Sequence, residues 1–378
     1  MKYYVIAGEA SGDLHGSNLV KELKVIDKNG IFRGWGGDKM KSENVEVVKH
    51  FKDLAFMGFA EVIKNLPTIF KNLSFCKKDI LQFNPDALIL IDYPGFNLRI
   101  AKWAKRKNIK VIYYISPQIW AWKEGRAKSI KNDVDKMLVI LPFEKLFYKK
   151  WNYAVEYIGH PLVTVVNNFL EHKSPLNTIR TKPNELIIAL LPGSRKQELE
   201  IKLPIMLEVT KYFPAYTFVI AKAPGISDDF YTSFIAGFEN IKAVSDKTYN
   251  LLSEASAALV TSGTATLETA LFNVPQVVCY KGSNISYQIA KRLIKIKYIS
   301  LVNLIMDKEV VKELIQDQLT VDNLRKELEL ILLDNVKITS IKNNYNNLRN
   351  LLSKGGDASA NGAEIIFRFL EQFKFKNA

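Results

Sequence analysis

Short apolar runs alternate with longer stretches of helical periodicity along most of the chain. The runs are rich in β-branched and aromatic residues, and each ends in a polar or glycine-containing turn, a pattern that predicts parallel strands flanked by helices. In the first half the predicted strands are Tyr3–Ala7, Ile31–Gly34, Ala87–Ile91, Lys110–Ile115, Met137–Leu141 and Val155–Ile158. The second half restarts the pattern with Leu186–Leu191, Tyr216–Ala221, Ala257–Thr261 and Gln276–Tyr280. The sequence therefore predicts two doubly wound α/β units.

A polar segment between the two halves, residues 171–184, contains two prolines and lacks periodicity, so it is the natural linker. The strands are expected to stop after about residue 306, with helices over Asp307–Leu333, Lys337–Leu352 and Ala358–Phe373. The expected domains are a Rossmann-like lobe at 1–170, a second at 185–306, and C-terminal helices at 307–378 that pack back on the fold. Two such lobes across a cleft describe the GT-B type of α/β fold, in which ligands bind beyond the carboxyl ends of strands.

The composition is globular, because 48% of the 378 residues are hydrophobic and 24% are charged, proportions that suit two cores of ordinary size. No run approaches the ~20 apolar residues of a membrane span, and no signal peptide is recognisable, so we expect a protein that is neither exported nor integral. Cys76 and Cys279 lie in a predicted helix and a predicted buried strand without metal-ligand spacing. A reducing cytoplasm is the expected compartment.

The formal net charge of +14 is compatible with nucleic acid, an anionic membrane surface or phosphorylated substrates as partners, or simply with a basic proteome. The lysines and arginines are spread along the chain without a dense block, and there is no zinc-finger, KH or RNP-type motif. No nucleic-acid partner is therefore expected.

The first predicted strand ends in a turn of small residues, Gly8–Gly16, that opens a helix. Such a turn lets backbone N–H groups approach an anion or a sugar hydroxyl, so Ser11 and Gly12 are candidate acceptor-binding residues. The turn does not match G-x-G-x-x-G, which disfavours a dinucleotide oxidoreductase. An ordinary strand-to-helix turn with Asp13 as a first-turn charge is the alternative, but it does not explain Glu9 and Ser11 on the side that faces the predicted cleft.

A fully apolar strand runs into Asp92 at its carboxyl end. A buried carboxylate is costly without partners, and burial also raises its pKa toward that of a base. Sugar transfer needs a carboxylate to accept the proton of the attacking hydroxyl. Asp92 is the leading candidate base, and a structural aspartate that caps the next loop is the alternative.

Two tryptophans follow the strand Lys110–Ile115, in a segment that also carries Lys123 and Arg126. Trp120, Trp122 and Arg126 are candidates for a stacking and phosphate-binding wall around an acceptor. A buried aromatic cluster is the alternative.

Two turns of the second lobe suit a nucleoside diphosphate, because each joins a strand to a helix start. Arg195 offers a fork of donors to phosphate, and Glu268 lies one helical turn beyond a Ser-Gly-Thr turn, where it can accept ribose hydroxyls. The candidate UDP-sugar-binding residues here are Ser194, Arg195, Ser262, Gly263, Thr264, Thr266 and Glu268. An N-cap serine or threonine is the alternative for one of these residues only. No Asp-x-Asp stands at a matching strand end, so no metal site is predicted.

The segment Leu54–Leu73 is unusually apolar, with basic residues interleaved. Interfacial helices and acyl-chain pockets have this composition, and the positive charge favours contact with anionic headgroups. The candidate membrane or acyl contacts are Phe56, Met57, Phe59, Val62, Ile63, Leu66, Ile69 and Phe70. A helix buried in its own core is the alternative.

Eight motifs together resemble, in order, those of the lipid-A-disaccharide synthase family. They are Gly8–Asp13, Met57–Val62, Ile91–Asn97, Ser116–Trp122, Leu141–Glu144, Gly159–Leu162, Leu191–Arg195 and Ser262–Glu268. The resemblance implies a GT-B transferase that joins UDP-2,3-diacylglucosamine to 2,3-diacylglucosamine 1-phosphate and releases UDP. It also implies an inverting reaction without metal or other cofactor, at the cytoplasmic face of a Gram-negative inner membrane.

The resemblance carries roles to individual residues. It implies Asp92 as general base and Glu9 as a supporting acid, with Arg195, Glu268 and the Ser262–Thr266 turn on the UDP side. A further motif at Ser300–Leu304 adds Asn303 to the donor site, and a homodimer that can exchange its C-terminal helices is the implied assembly. The chain departs from the family at Gly95, where many members have a second acid, at Val302 for a usual proline, and at Asp38-Lys39 for Pro-Arg.

Two rival functions remain at this point. One is another GT-B enzyme acting on UDP-N-acetylglucosamine, either a lipid glycosyltransferase or a 2-epimerase, and the other is a non-catalytic protein that binds a UDP-sugar or a lipid. The apolar segment Phe56–Leu73 argues against a soluble epimerase, which has no use for an acyl-accommodating surface.

Overall fold

The computed structural model describes residues 1–54, 66–283, 287 and 296–374. The chain forms two compact units, the first made of Met1–Pro161 with Leu352–Ala378 and the second of Leu162–Leu351. The division after Pro161 precedes the linker expected at 171–184, and the last helix belongs to the first unit. Within the described ranges, none of the helices combines the length and the apolar character that a bilayer crossing needs.

The described part of the first unit is built on a seven-stranded parallel sheet in the order β3-β2-β1-β4-β5-β6-β7. Its strands are β1 Lys2–Ala7, β2 Ile31–Gly36, β3 Glu46–His50, β4 Ala87–Ile91, β5 Lys110–Tyr114, β6 Lys136–Val139 and β7 Glu156–Tyr157. Its helices are Ala10–Ile26, Asp38–Ser42, Leu66–Phe83, Pro94–Arg106, Ile119–Trp122, Arg126–Asp133, Glu144–Lys149 and Ala358–Lys374, with a 3-10 turn at Phe51–Leu54.

The described part of the second unit has a six-stranded parallel sheet in the order β10-β9-β8-β11-β12-β13. Its strands are β8 Ile187–Leu191, β9 Thr217–Ala221, β10 Ile241–Val244, β11 Ala255–Val260, β12 Gln276–Tyr280 and β13 Lys312–Ile315. The accompanying helices are Pro161–Glu171, Lys196–Thr210, Asp228–Ile235, Thr248–Leu252, Thr264–Leu271, Leu301–Met306, Val321–Leu333 and Asn335–Ser353, with 3-10 turns at Pro175–Asn177 and Gln316–Gln318. The predicted α/β class with two parallel sheets is confirmed.

The expectation that strands stop after residue 306 is wrong. β13 pairs in parallel with β12, with Val277 opposite Lys312 and Tyr280 opposite Ile315. The helix expected from Asp307 therefore begins only at Val321. A four-residue edge strand that contains Lys312 and Glu313 lacks the apolar run by which a buried strand is recognised.

The central strands are buried on both faces, as parallel strands covered by helices must be. Tyr3–Ala7 and Ala87–Ile91 have no exposed side chain surface. The buried cluster around them includes Ile366 and Leu370, so the helix Ala358–Lys374 completes the core of the first unit.

The strand order reverses once in each sheet, at β1/β4 and at β8/β11. Ala7 is opposite Ile91 in the first sheet, and Leu191 is opposite Val260 in the second. Within each sheet, the turns that follow these two strands therefore lie beside each other at a topological switch point, where open α/β sheets bind ligands.

Candidate active site

The turn after β4 holds Asp92 in a strained backbone conformation. Asp92 and Tyr93 have φ angles of 41° and 47°, a left-handed region that side chains other than glycine rarely adopt. The Asp92 carbonyl accepts hydrogen bonds from Tyr113 Oη at 2.5 Å and from Asn97 Nδ2 at 2.8 Å, and its N–H donates to the Tyr114 carbonyl at 3.3 Å. Three bonds from neighbouring residues therefore fix the backbone that carries the carboxylate.

The Asp92 carboxylate has the acid–base character of a general base. Burial, and to a lesser extent the negative charge of Glu9, raises its pKa to about 6, while a hydrogen bond from the Tyr93 backbone opposes the rise. The coupling to Glu9 follows from the topology, because the two residues follow the adjacent strands β1 and β4. Above pH ~6 the carboxylate is ionised. Its pKa is close to the value that suits proton transfer near neutral pH.

Gly8 joins the two turns by close packing. A Cβ at Gly8 would lie 2.3 Å from the Tyr93 ring, so only glycine lets this ring cover the turn after β1. The Tyr93 ring in turn stacks on Phe96 at 5.8 Å between centroids. The motif Gly8–Asp13 thus supports the conformation of the motif Ile91–Asn97.

Asp13 has a structural role. It is buried, and its carboxylate accepts hydrogen bonds from the backbone N–H groups of Gly37 at 2.7 Å, Lys39 at 3.0 Å and Met40 at 3.1 Å. These bonds cap the short helix after β2. The structural alternative therefore holds for Asp13, while Glu9 and Ser11 are exposed at the start of the helix Ala10–Ile26.

Gly12 is buried at that helix start, where a Cβ would meet the Ala7 Cβ at 3.3 Å. The glycines after β2 also have a packing reason. A Cβ at Gly36 would approach Met40 Sδ to 2.5 Å, and one at Gly37 would lie 2.8 Å from an Asp13 carboxylate oxygen. These two glycines therefore leave room for the Asp13 carboxylate to cap the short helix.

The two tryptophans divide between the two alternatives. Trp120 is buried, with its ring edge-to-face against Phe143 at 4.9 Å. Trp122 is 47% exposed, with Lys123 Nζ at 4.2 Å and the Arg126 guanidinium at 5.6 Å from its ring centroid. Trp120 thus belongs to an aromatic cluster, whereas Trp122 and its two cations form a surface suited to a phosphorylated sugar.

Glu144 is a buried acid in the same region as the two tryptophans. From the sequence it was recognised only as part of the motif Leu141–Glu144. Its side chain is 1% exposed and accepts a hydrogen bond from the Leu141 N–H at 3.0 Å. Ser116 Oγ and Tyr148 Oη are hydrogen-bonded at 2.8 Å in the same cluster. Burial raises the pKa of Glu144 to about 7, and the hydrogen bonds partly oppose the rise.

Because the pKa of Glu144 is raised, we expect the free energy of unfolding to depend on pH. Glu144→Gln should remove this contribution. The folded state binds the Glu144 proton more tightly than the unfolded chain, so the stabilisation is complete below pH ~4.5 and is lost as pH rises through about 7. The free energy of unfolding of the variant relative to the native protein should grow by about 2–3 kcal/mol between pH 5 and 8. All five tryptophans lie in the first unit, so urea unfolding followed by tryptophan fluorescence measures it.

The exposed Glu124→Gln should follow the native protein across this pH range and serves as the matched control. Parallel curves for Glu144→Gln and Glu124→Gln would contradict the assignment.

The turn after β8 presents an arginine at the surface of the second unit. Gly193 has a φ of 121°, and Arg195 stands at the N-cap position of the helix Lys196–Thr210. The Arg195 side chain is 71% exposed and pairs with Glu198 at 3.3 Å, and Ser194 is exposed beside it. An exposed ion pair of this kind is weak, so Arg195 can turn to an anionic ligand.

The turn after β11 opens the helix Thr264–Leu271. Gly263 has a φ of 112°, and both Gly263 and Thr264 are exposed, while Ser262 is half-buried. The unpaired N–H groups at a helix start attract phosphate oxygens. Thr266 is buried instead, donating to the Gly263 carbonyl at 2.8 Å and accepting from the Leu301 N–H at 3.3 Å. It shapes the turn from within.

Glu268 and Asn303 lie deeper in the second unit. Glu268 is half-buried, accepts a hydrogen bond from Tyr249 Oη at 2.7 Å, and has a pKa raised by burial. Asn303 has no exposed surface, and its amide bonds to Val310, Val311 and Glu313 at 2.8 to 3.0 Å. A direct contact of Asn303 with a ligand would require these bonds to open.

Tyr249 and Glu313 were not recognised from the sequence. Glu313 is buried and accepts hydrogen bonds from Ile299, Ser300 and Asn303, which ties the Ser300 motif to β13. No local pattern marks either residue, because each acts on a partner that is distant in the chain. Among residues 1–54, 66–283, 287 and 296–374, no three His, Cys, Asp or Glu side chains are grouped so that they could hold a metal ion.

The expected membrane segment is only partly described. Phe56, Met57, Phe59, Val62, Ile63 and the side chain of Leu66 lie outside the described residues. Ile69 and Phe70 lie on the helix Leu66–Phe83, where Phe70 is 62% exposed and Ile69 partly buried.

Comparison with known proteins agrees with the family resemblance of the motifs. The family model of lipid-A-disaccharide synthetase matches residues 3–366. The lipid-A-disaccharide synthase of Geobacter metallireducens is 38% identical over 371 residues, covering 97% of this chain and 96% of the relative. That of Coxiella burnetii is 36% identical over 370 residues, covering 97% and 98%.

Solved structures share the fold at low identity. A UDP-GlcNAc 2-epimerase from Neisseria meningitidis bound to UDP-GlcNAc has a TM-score of 0.66 at 14% identity, covering 98% of this chain and all of that chain. The glycotransferase of kitacinnamycin has a TM-score of 0.66 at 13% identity, covering 97% and 98%. These likenesses establish the GT-B fold class alone. The full-length family match and the relatives at 36–38% identity go further: the chain belongs to the lipid-A-disaccharide synthase family of glycosyltransferases.

Proposed function

We propose that the enzyme transfers the sugar of UDP-2,3-diacylglucosamine to the 6-hydroxyl of 2,3-diacylglucosamine 1-phosphate, giving a tetraacyl disaccharide 1-phosphate and UDP. The observation that carries this proposal is the carboxylate of Asp92 at the switch point of the first sheet, with a pKa of about 6 and a backbone fixed by three hydrogen bonds. A base of this kind matches the need to deprotonate a sugar hydroxyl near neutral pH.

On the acceptor side, Asp92 accepts the hydroxyl proton while the oxygen attacks the anomeric carbon opposite UDP, which inverts the configuration. Glu9 helps to keep the pKa of Asp92 high through its charge. Trp122, Lys123 and Arg126 supply a ring face and two cations for the sugar 1-phosphate.

On the donor side, the exposed turns after β8 and β11 receive the diphosphate. Arg195 and the N–H groups at the start of the helix Thr264–Leu271 stabilise the negative charge that develops on the leaving UDP. Glu268, oriented by Tyr249, accepts hydrogen bonds from the ribose hydroxyls. The proposed reaction therefore uses no metal ion.

The proposed place of reaction is the cytoplasmic face of the inner membrane, where both acylated substrates are embedded. The helix Leu66–Phe83 supports this proposal, because Phe70, Phe75 and Leu81 are 46–62% exposed on it and Lys71 and Lys78 are exposed beside them. Apolar side chains with neighbouring lysines suit an anionic lipid surface. A homodimer is part of the same proposal, and light scattering in detergent tests it.

Mass spectrometry of reaction products tests the activity. The purified protein is mixed with UDP-2,3-diacylglucosamine and 2,3-diacylglucosamine 1-phosphate in detergent micelles that contain EDTA. Appearance of a tetraacyl disaccharide 1-phosphate together with UDP is the expected result. Absence of product while UDP still binds would reject this acceptor, and activity that appears only with added Mg²⁺ would reject the metal-free reaction.

A further inference from the structure

The second unit contains a buried lysine between its two ligand-binding turns. Lys202 lies inside the helix Lys196–Thr210 and is 1% exposed. Its ammonium donates to Thr261 Oγ1 and lies 3.4 Å from Glu198 Oε2. A buried cation costs free energy unless it is paired, so its position directly beneath the site needs a reason.

The ammonium lies next to both turns of the switch point. A Cβ built on Gly193 would lie 3.4 Å from Lys202 Nζ, so the cation is close to the turn after β8. Thr261 is the first residue after β11, and its N–H donates to the Leu191 carbonyl at 2.9 Å. Lys202 therefore lies where the two turns meet and is bonded to the second of them.

Glu198 is shared between two cations of very different exposure. Its Oε1 lies 3.3 Å from Arg195 Nη1, and its Oε2 lies 3.4 Å from Lys202 Nζ. The Arg195 side chain is 71% exposed, whereas that of Lys202 is 2% exposed. Solvent screens the first pair from both ends, whereas the second pair is screened only from the side of Glu198, whose side chain is 34% exposed.

The thiol of Cys279, which also lies near the ammonium, does not compete with Glu198 as its counter-ion. Cys279 lies close enough to be influenced by Lys202, and burial raises the pKa of its thiol to about 12, so it stays neutral. Burial also lowers the pKa of Lys202, an effect that the charge of Glu198 opposes. Glu198 is thus the counter-ion that keeps the lysine charged.

We propose that Lys202 is a positioning residue that acts as the permanent partner of Glu198 and thereby releases Arg195 to bind the diphosphate of the donor. The inference rests on the proposed function of the two turns. The Arg195–Glu198 pair is already present, but it is weak while Lys202 shares the carboxylate. Without Lys202, Arg195 would be the remaining cation at Glu198, and donor binding would have to break a stronger pair. The lysine hence affects donor affinity without touching the donor.

Lys202→Met tests this arrangement, with UDP binding measured by isothermal titration calorimetry. We expect Kd for UDP to rise about tenfold, the size of one weakened charge-assisted contact. The double variant Lys202→Met/Glu198→Gln should recover the native Kd to within about threefold, because the neutral amide that replaces the carboxylate no longer retains Arg195. Lys211→Met, at the exposed end of the same helix and paired with Glu208, is the matched control and should leave Kd unchanged.

The recovery in the double variant separates positioning from a general loss of packing. Equal weakening of the single and double variants would overturn the proposal, and so would native affinity in Lys202→Met. Melting temperatures establish that the variants are folded, and Lys202→Gln, which keeps a donor toward Thr261, replaces Lys202→Met if that variant does not fold. Failure of the native protein to bind UDP would instead reject the proposed function of the site.

Discussion

Asp92→Asn is expected to lower turnover by about 10²–10⁴-fold, the usual contribution of a general base. The amide is close in size to the carboxylate, and the hydrogen bonds that fix this turn involve the Asp92 backbone, so the fold should persist. UDP affinity should also persist, because Asp92 lies in the first unit and the candidate UDP-binding residues lie in the second. Product formation by mass spectrometry and UDP binding by calorimetry measure the two effects.

The pH profile gives an independent test of the same assignment. Since the ionised form is active, kcat/KM of the native enzyme should fall about tenfold for each pH unit below ~6. Glu9→Gln removes a charge that raises the pKa of Asp92, so its profile should shift toward lower pH. Turnover that is undiminished in Asp92→Asn, or a native profile that is flat between pH 5 and 7, would rule out Asp92 as the base.

Arg195→Ala is expected to weaken UDP binding roughly 10–100-fold, since hydrogen bonds to charged groups contribute about 1.5–3 kcal/mol. Turnover should fall as well, because the guanidinium stabilises the departing diphosphate more strongly than the bound donor. Stability should change little, since the side chain is 71% exposed and its pair with Glu198 is weak.

Calorimetric titration with UDP and saturation kinetics separate the binding effect of Arg195→Ala from its effect on turnover. Lys196→Ala is the control for loss of a nearby positive charge, because Lys196 is exposed and lies over the Phe230 ring at 5.7 Å. Equal losses in both variants would mean that Arg195 contributes only to the general field of the surface.

The central strands were predictable from the sequence because their neighbours bury both faces, which demands continuous apolar runs such as Ala87–Ile91. The strands that were missed, β3, β10 and β13, are four or five residues long and occupy sheet edges. Most side chains of these three strands are partly or fully exposed, so the strands need no apolar run. These segments are strands because each pairs with an inner strand, and no local sequence pattern predicts that pairing.

The candidate site residues that lie in the turns after strands were predictable from the sequence. Glu9, Asp92 and Arg195 each stand in the turn after a central strand, and the topology brings these positions to the switch points. The environment of Lys202 was not predictable, since its partner Thr261 is 59 residues away. Residue type alone also could not distinguish the buried Asn303 from an exposed ligand contact.

The helix Ala358–Lys374 has a consequence for the order in which the protein can fold during synthesis. Its residues Ile366 and Leu370 share a buried cluster with Val5 and Ile89, which the ribosome makes hundreds of residues earlier. The second unit, Leu162–Leu351, is wholly synthesised before that helix. The unit translated first is therefore the last to complete its core, and until then part of its apolar cluster lacks the cover that this helix provides.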